Sequence, residues 1–172
     1  AFITQGYEED IRLYKELGGG AMYDLGCYCT TMIGTLVDGD TEYVKATMEA
    51  NEHGVDLFTA GLIKFKNGAR ASFNVGMMLG TDTNARFDRL YVHGTKGIIR
   101  SDVEYNQAGD LSYTITVNGE TITKTQQARN NYALEIEQMN RAIIGEEEIY
   151  ITPEFSIRNA KMIDAALASM GY

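Results

Sequence analysis

The chain has 172 residues, 44% of them apolar and 23% charged, with a formal net charge of -9, which is enough for one domain with a real core. The acidic balance argues against nucleic acid or an anionic membrane as partner, since both need basic patches. No apolar run approaches the roughly 20 residues of a membrane span and no signal-peptide pattern is present, so a cytoplasmic protein is expected.

The segment Asp10-Ile11-Arg12 leads into Gly18-Gly19-Gly20, which empties the backbone of Cβ atoms and lets it pass close to a ligand or to another backbone. A helix is predicted from Ala21 to Leu36, with Met22, Leu25, Cys29, Met32, Ile33 and Leu36 forming a core-facing stripe and Asp38-Gly39-Asp40 stopping it. It carries Asp24 and Tyr28 four residues apart, hence on one face. An acceptor and a phenol at a helix start beside open backbone form a candidate proton-transfer site. Taken singly, Asp24 also reads as a solvated or capping acid and Tyr28 as a core aromatic. Cys27 and Cys29 are too close to staple a fold and read as reduced thiols. His53 and His93 stand apart, no cluster has metal-ligand spacing, and no metal is expected.

From Glu42 the apolar period changes to two. Strands are predicted over Tyr43 to Ala50, Asp56 to Phe65, Ala69 to Leu79, Arg86 to His93, Gly97 to Ser101, Leu111 to Val117 and Glu120 to Lys124, with Asn67-Gly68 and Asn118-Gly119 as hairpin turns. A helix from Asn131 to Ile144 carries Tyr132, Ile136, Met139 and Ile143 on one face, and Glu146-Glu147-Glu148 after it reads as a solvated loop. Thr152-Pro153-Glu154 is a strong start for the last helix, which runs through Phe155, Met162, Ile163, Leu167 and Met170. The expected class is α+β, a largely antiparallel open sheet of about six strands with helices packed on one face. The other sheet face needs a second cover, and a partner subunit is the natural one.

The run Gly18-Gly19-Gly20-Ala21-Met22-Tyr23-Asp24-Leu25-Gly26-Cys27-Tyr28-Cys29 resembles the start of the C-terminal domain of the Gfo/Idh/MocA oxidoreductases, whose pattern is roughly GGG-x-x-x-D-x-G-x-[HY]. Asp10-Ile11-Arg12, Lys66-Asn67-Gly68-Ala69, Val92-His93-Gly94-Thr95-Lys96-Gly97 and Tyr132-Ala133-Leu134-Glu135-Ile136 follow that family's order. The tyrosine at position 28, where other members have histidine, is similar to the dihydrodiol, xylose and glucose–fructose dehydrogenase group.

The resemblance implies an oxidoreductase that uses NAD or NADP on a sugar, polyol or diol, with an N-terminal Rossmann domain binding most of the dinucleotide. Neither G-x-G-x-x-G nor the family's Glu-Lys-Pro lysine motif occurs here. Residues 1–172 are therefore expected to be a single substrate-binding and oligomerisation domain, with the Rossmann domain elsewhere, and inactive alone. On this reading Tyr28 is the acid/base and Asp24 its orienting partner or an acceptor for a substrate hydroxyl. Arg12 would be a substrate contact, and Gly19 and Gly20 would let the backbone approach the substrate cleft. A free phenol has a pKa near ~10, so a nearby cation, the missing lysine, would be needed to tune Tyr28. Two alternatives stay open: a family member that has lost catalysis and acts as a sensor or scaffold, and an unrelated α+β dimerisation module.

Overall fold

A computed structural model describes residues 10–77 and 88–172, and the backbone of residues 2–3. Within the single domain expected, the chain groups into two compact units, Ala1–Arg86 with Thr152–Tyr172, and Phe87–Ile151. In chain order the elements are β1 (Phe2–Ile3), two 3-10 turns (Ile11–Leu13 and Lys15–Leu17), a π-helical turn (Met22–Gly26) running directly into α1 (Cys27–Leu36), β2 (Thr41–Ala50), β3 (Asp56–Phe65), β4 (Arg70–Met77), β5 (Leu90–Gly94), β6 (Gly97–Ser101), β7 (Gly109–Val117), β8 (Glu120–Ala128), α2 (Asn131–Ile143) and α3 (Pro153–Met170).

The α+β class and the antiparallel pairing stand as expected. The strands, however, form two sheets of four, ordered β1-β4-β3-β2 and β5-β6-β7-β8, in place of one sheet of about six. Among the described residues all pairings are antiparallel except β1 with β4. Both Asn-Gly hairpins form. At the second, Asn118 and Gly119 adopt φ of 53° and 83°, the left-handed pair that a two-residue hairpin turn requires. Met78, Leu79 and Arg86 lie outside the described residues.

In the first unit one sheet face is covered by helices. Val44 of β2, Ile63 and Phe65 of β3, and Phe73, Val75 and Met77 of β4 meet Met22, Leu25 and Cys29 of the helical run and Met162, Ile163, Ala166 and Leu167 of α3 in one buried cluster. Along β4 it is the alternate residues Phe73, Val75 and Met77 that enter this cluster. Helix α3 starts as its sequence dictates: Thr152 Oγ1 accepts from the Phe155 N–H at 3.1 Å, proline follows, and Gly171 at φ 76° ends it.

The stripe on α1 is shifted from the prediction. Thr30 and Gly34 are buried with Cys29, whereas Leu36 is exposed. The π-turn holds more residues per turn than an α-helix and so rotates everything after it relative to a uniform 3.6 period. Thr30 is tolerated inside because its hydroxyl donates to the Gly26 carbonyl at 3.1 Å.

The second unit is different in kind. None of its described apolar side chains is fully buried. Cross-strand partners Val92, Ile99, Ile115 and Ile122 form an aliphatic row over all four strands of its sheet. On α2, the stripe Tyr132, Ile136, Met139 and Ile143 lies exposed, Ile136 at 63% and Ile143 at 74%.

Candidate active site

The glycine run and the helical start after it are assembled from three places in the chain. The first 3-10 turn is capped by Asp10, whose Oδ1 accepts the Arg12 N–H at 2.9 Å. That turn delivers the Arg12 side chain to the helix: its Nε donates to Asp24 Oδ1 at 2.8 Å and its Nη1 to Asp10 Oδ1 at 3.3 Å. One guanidinium thus links two carboxylates. Asp24's hydrogen bond, with further help from its charge and from Asp10, raises the Arg12 pKa still higher, so the arginine stays charged. The trio carries a formal charge of -1 and is only partly shielded from water.

Asp24 lies within the π-turn and Tyr28 in the first turn of α1. π-Turns inside helices recur at functional sites. The four-residue spacing therefore spans a widened turn, and the carboxylate of Asp24 is directed to Arg12. Tyr28 is 46% exposed, so it is no sealed core aromatic. Between them Cys27 donates to the Asp24 carbonyl at 3.6 Å, and burial pushes its thiol pKa up, away from a reactive thiolate.

Gly19 and Gly20 are buried, and the close approach they permit is to the protein itself. A Cβ on Gly19 would lie 2.4 Å from the Arg12 carbonyl oxygen, and their N–H groups donate to the Tyr14 and Arg12 carbonyls at 3.0 and 2.8 Å. Gly20 has φ 112°, and a Cβ there would fall 2.2 Å from Asp56 Oδ1. The glycines thus seat the Arg12 turn and the start of β3 against the helix.

Sequence reasoning passed over three residues at this site. Asp10 had a readable signal, the Asp-x-Arg turn in which a side chain caps the N–H two residues on. Asp56, fully buried, has none beyond an acid set between Val55 and Leu57. Tyr172 donates its hydroxyl to the Gly19 carbonyl at 2.7 Å, with Lys15 Nζ 4.5 Å from its ring centroid and Tyr23 edge-on at 6.0 Å. Burial, then the nearby Asp56 and Tyr23, raise its pKa.

Residues 2–100 match the family model of the GFO/IDH/MocA C-terminal domain. The chain belongs to that family. The unrelated dimerisation module is thereby set aside. Over 166 residues, 94% of its length, this GFO/IDH/MocA chain is 26% identical to a D-xylose 1-dehydrogenase (NADP(+)) of Haloferax volcanii, of which it covers 49%. Over 100 residues, 58% of its length, it is 33% identical to a trans-1,2-dihydrobenzene-1,2-diol dehydrogenase of Xenopus tropicalis, of which it covers 29%. KijD10, a 3-ketoreductase of Actinomadura kijaniata solved with NADP and TDP-benzene, superposes with a TM-score of 0.84 at 22% identity, over 99% of this chain and 52% of that one. The chain thus spans about half the length of the relatives that it matches along most of its own. Among the described residues no helix is long and apolar enough to cross a membrane.

Proposed function

We propose that this chain is the substrate-binding and oligomerisation half of an NAD(P)-dependent oxidoreductase that acts on a hydroxyl of a sugar, polyol or diol. The observation that carries the reading is the Arg12–Asp24 ion pair set one widened turn before the exposed Tyr28. A cluster with two carboxylates and one guanidinium is rich in acceptors and negative overall. It suits neutral, hydroxyl-rich substrates better than anions.

A dinucleotide pyrophosphate does not fit on this chain's helical start. The N-terminus of the run, where phosphate binds in dinucleotide folds, is already filled by the Asp56 carboxylate beside Gly20. NAD or NADP is accordingly assigned to protein outside this chain, as is the cation that tunes Tyr28, and the cofactor supplies the hydride chemistry. Calorimetric titration of this chain alone with NADH or NADPH should give no saturable heat.

The work left to this chain is the proton and the orientation. Tyr28 takes the hydroxyl proton as the substrate carbon is oxidised, and returns it on reduction. Asp24, held by Arg12, accepts a neighbouring substrate hydroxyl or orients the phenol. Oligomer formation is assigned to the uncovered apolar face of β5–β8. A cytoplasmic location fits Cys27 and Cys29 not being joined in a disulfide.

The test is Tyr28→Phe in the full-length protein, with D-xylose and NADP as probes because a relative is named for that reaction. The fold should persist and kcat should fall by about 10²–10⁴-fold, the usual weight of general acid–base catalysis. Asp24→Asn should cost less, since an amide still hydrogen-bonds. Near-normal turnover by Tyr28→Phe would refute the assignment. No turnover by the unaltered protein on any sugar or diol tried would favour the sensor or scaffold reading.

A further inference from the structure

We propose that Asp56 is a positioning residue for the segment bearing Asp24 and Tyr28: a buried anchor on β3 that sets where the helical run begins. This rests on the reading of those two side chains as the proton-transfer site.

Four observations carry it. Asp56 is fully buried, and its Oδ2 accepts the Met22 N–H at 2.8 Å and the Thr59 hydroxyl at 2.5 Å. Met22 opens the π-turn, and the first N–H groups of a helix have no partner within it. A flanking Ser, Thr, Asp or Asn commonly serves them, but Ala21 sits at the cap position and glycines precede it, so the acceptor arrives from 34 residues away. Finally, Oδ1 makes no hydrogen bond to any described residue and occupies the place where any residue but glycine at position 20 would put its Cβ.

A buried carboxylate with one oxygen unsatisfied is a poor device for stability, because desolvation and the missing bond both count against it. It is a stiff device for direction. Two hydrogen bonds fix the carboxylate plane, and that plane fixes the first turn of the helix. The Gly20 contact holds the preceding loop in register with it. Since β3 is a central strand of the first sheet, Asp24 and Tyr28 are referenced to that sheet rather than to the loop before them. A shift on the order of 1 Å in such a segment lowers turnover by up to about 10²-fold without loss of any reacting group.

The experiment compares Asp56→Asn with Val44→Ala, a core truncation on β2, in the full-length protein. Amide hydrogen exchange of Met22–Gly26 should rise at least about tenfold in Asp56→Asn, with α3 and β4 still protected, and should not rise selectively in Val44→Ala. With D-xylose and NADP as probes, Asp56→Asn should lower kcat about tenfold and leave the xylose KM within about twofold. Val44→Ala should lose thermal stability with kcat near normal. If Asp56→Asn does not fold, Asp56→Ser is read in the same way. Unchanged exchange at Met22–Gly26, or equal kcat losses in the two variants, overturns the proposal. Should the unaltered protein turn over neither xylose nor any other sugar or diol tried, that counts against the proposed function, and the exchange arm alone then decides Asp56.

Discussion

In the unit that carries the helical run, Ile63, Phe65, Val75 and Met162 are sealed between one sheet face and two helical segments. In the unit built on β5–β8, Val92, Ile99, Ile115 and Ile122 line up across the sheet with no fully buried apolar side chain among the unit's described residues, and Ile136 and Ile143 of α2 stand in solvent. Helices α2 and α3, one in each unit, both carry an apolar stripe in sequence. The difference teaches that periodicity identifies an apolar face without identifying its cover. One unit covers its own face. The other offers several uncovered apolar surfaces, which is how oligomer and interdomain interfaces look before assembly.

The comparison is broken most directly by truncating both kinds of position. Phe65→Ala should destabilise the chain by about 3–5 kcal/mol in chemical denaturation, the usual loss for a large buried aromatic; a loss below about 1 kcal/mol would mean the first unit's core is not closed. Gly61→Ala should also hurt, by about 1–3 kcal/mol, through overpacking. Its new Cβ would sit 2.2 Å from the ring of Phe73 on the neighbouring strand.

Light scattering tests the open face. The chain should form a dimer or larger species, and Ile99→Lys with Ile122→Lys should return it to monomer, because charge on that row opposes burial. A clean monomer at high micromolar concentration would remove the oligomerisation proposal.

A smaller effect concerns pH. Burial raises the Asp56 pKa despite the Thr59 and Met22 hydrogen bonds that oppose it. The folded state then holds this proton more tightly than the unfolded chain, whose aspartate titrates near about 3.9. Asp56's contribution is therefore fully present below about pH 4 and declines as pH rises through the higher folded value. The Tm advantage of the unaltered chain over Asp56→Asn should shrink across that interval; a constant difference would show that burial does not govern this carboxylate. The smallest effect is expected at Ile136→Ala, within about 0.5 kcal/mol for the chain alone, since that side chain is already in solvent.

Much of this fold was legible in the residues. The Asn-Gly turns, the Thr152-Pro153-Glu154 start, the strand at β4 and the helical phase of α3 act through local geometry and appear where local geometry puts them. The candidate site was half legible. The glycine run, Asp24 and Tyr28 mark a candidate site by type and spacing, and Arg12 by its nearness to the run. The pairing of Arg12 with Asp24, and the use of Gly19 and Gly20 to seat the protein's own backbone, were not readable.

What sequence alone determined is the α+β class, the order of elements and the family motif, because each depends on side chains within a few positions of one another. Tertiary structure decided the division into two sheets, the π-turn that rotates the stripe of α1, and the anchoring of that helix by Asp56. Those outcomes turn on contacts such as Met22 with Asp56, 34 residues apart, whose formation depends on how whole strands and helices pack.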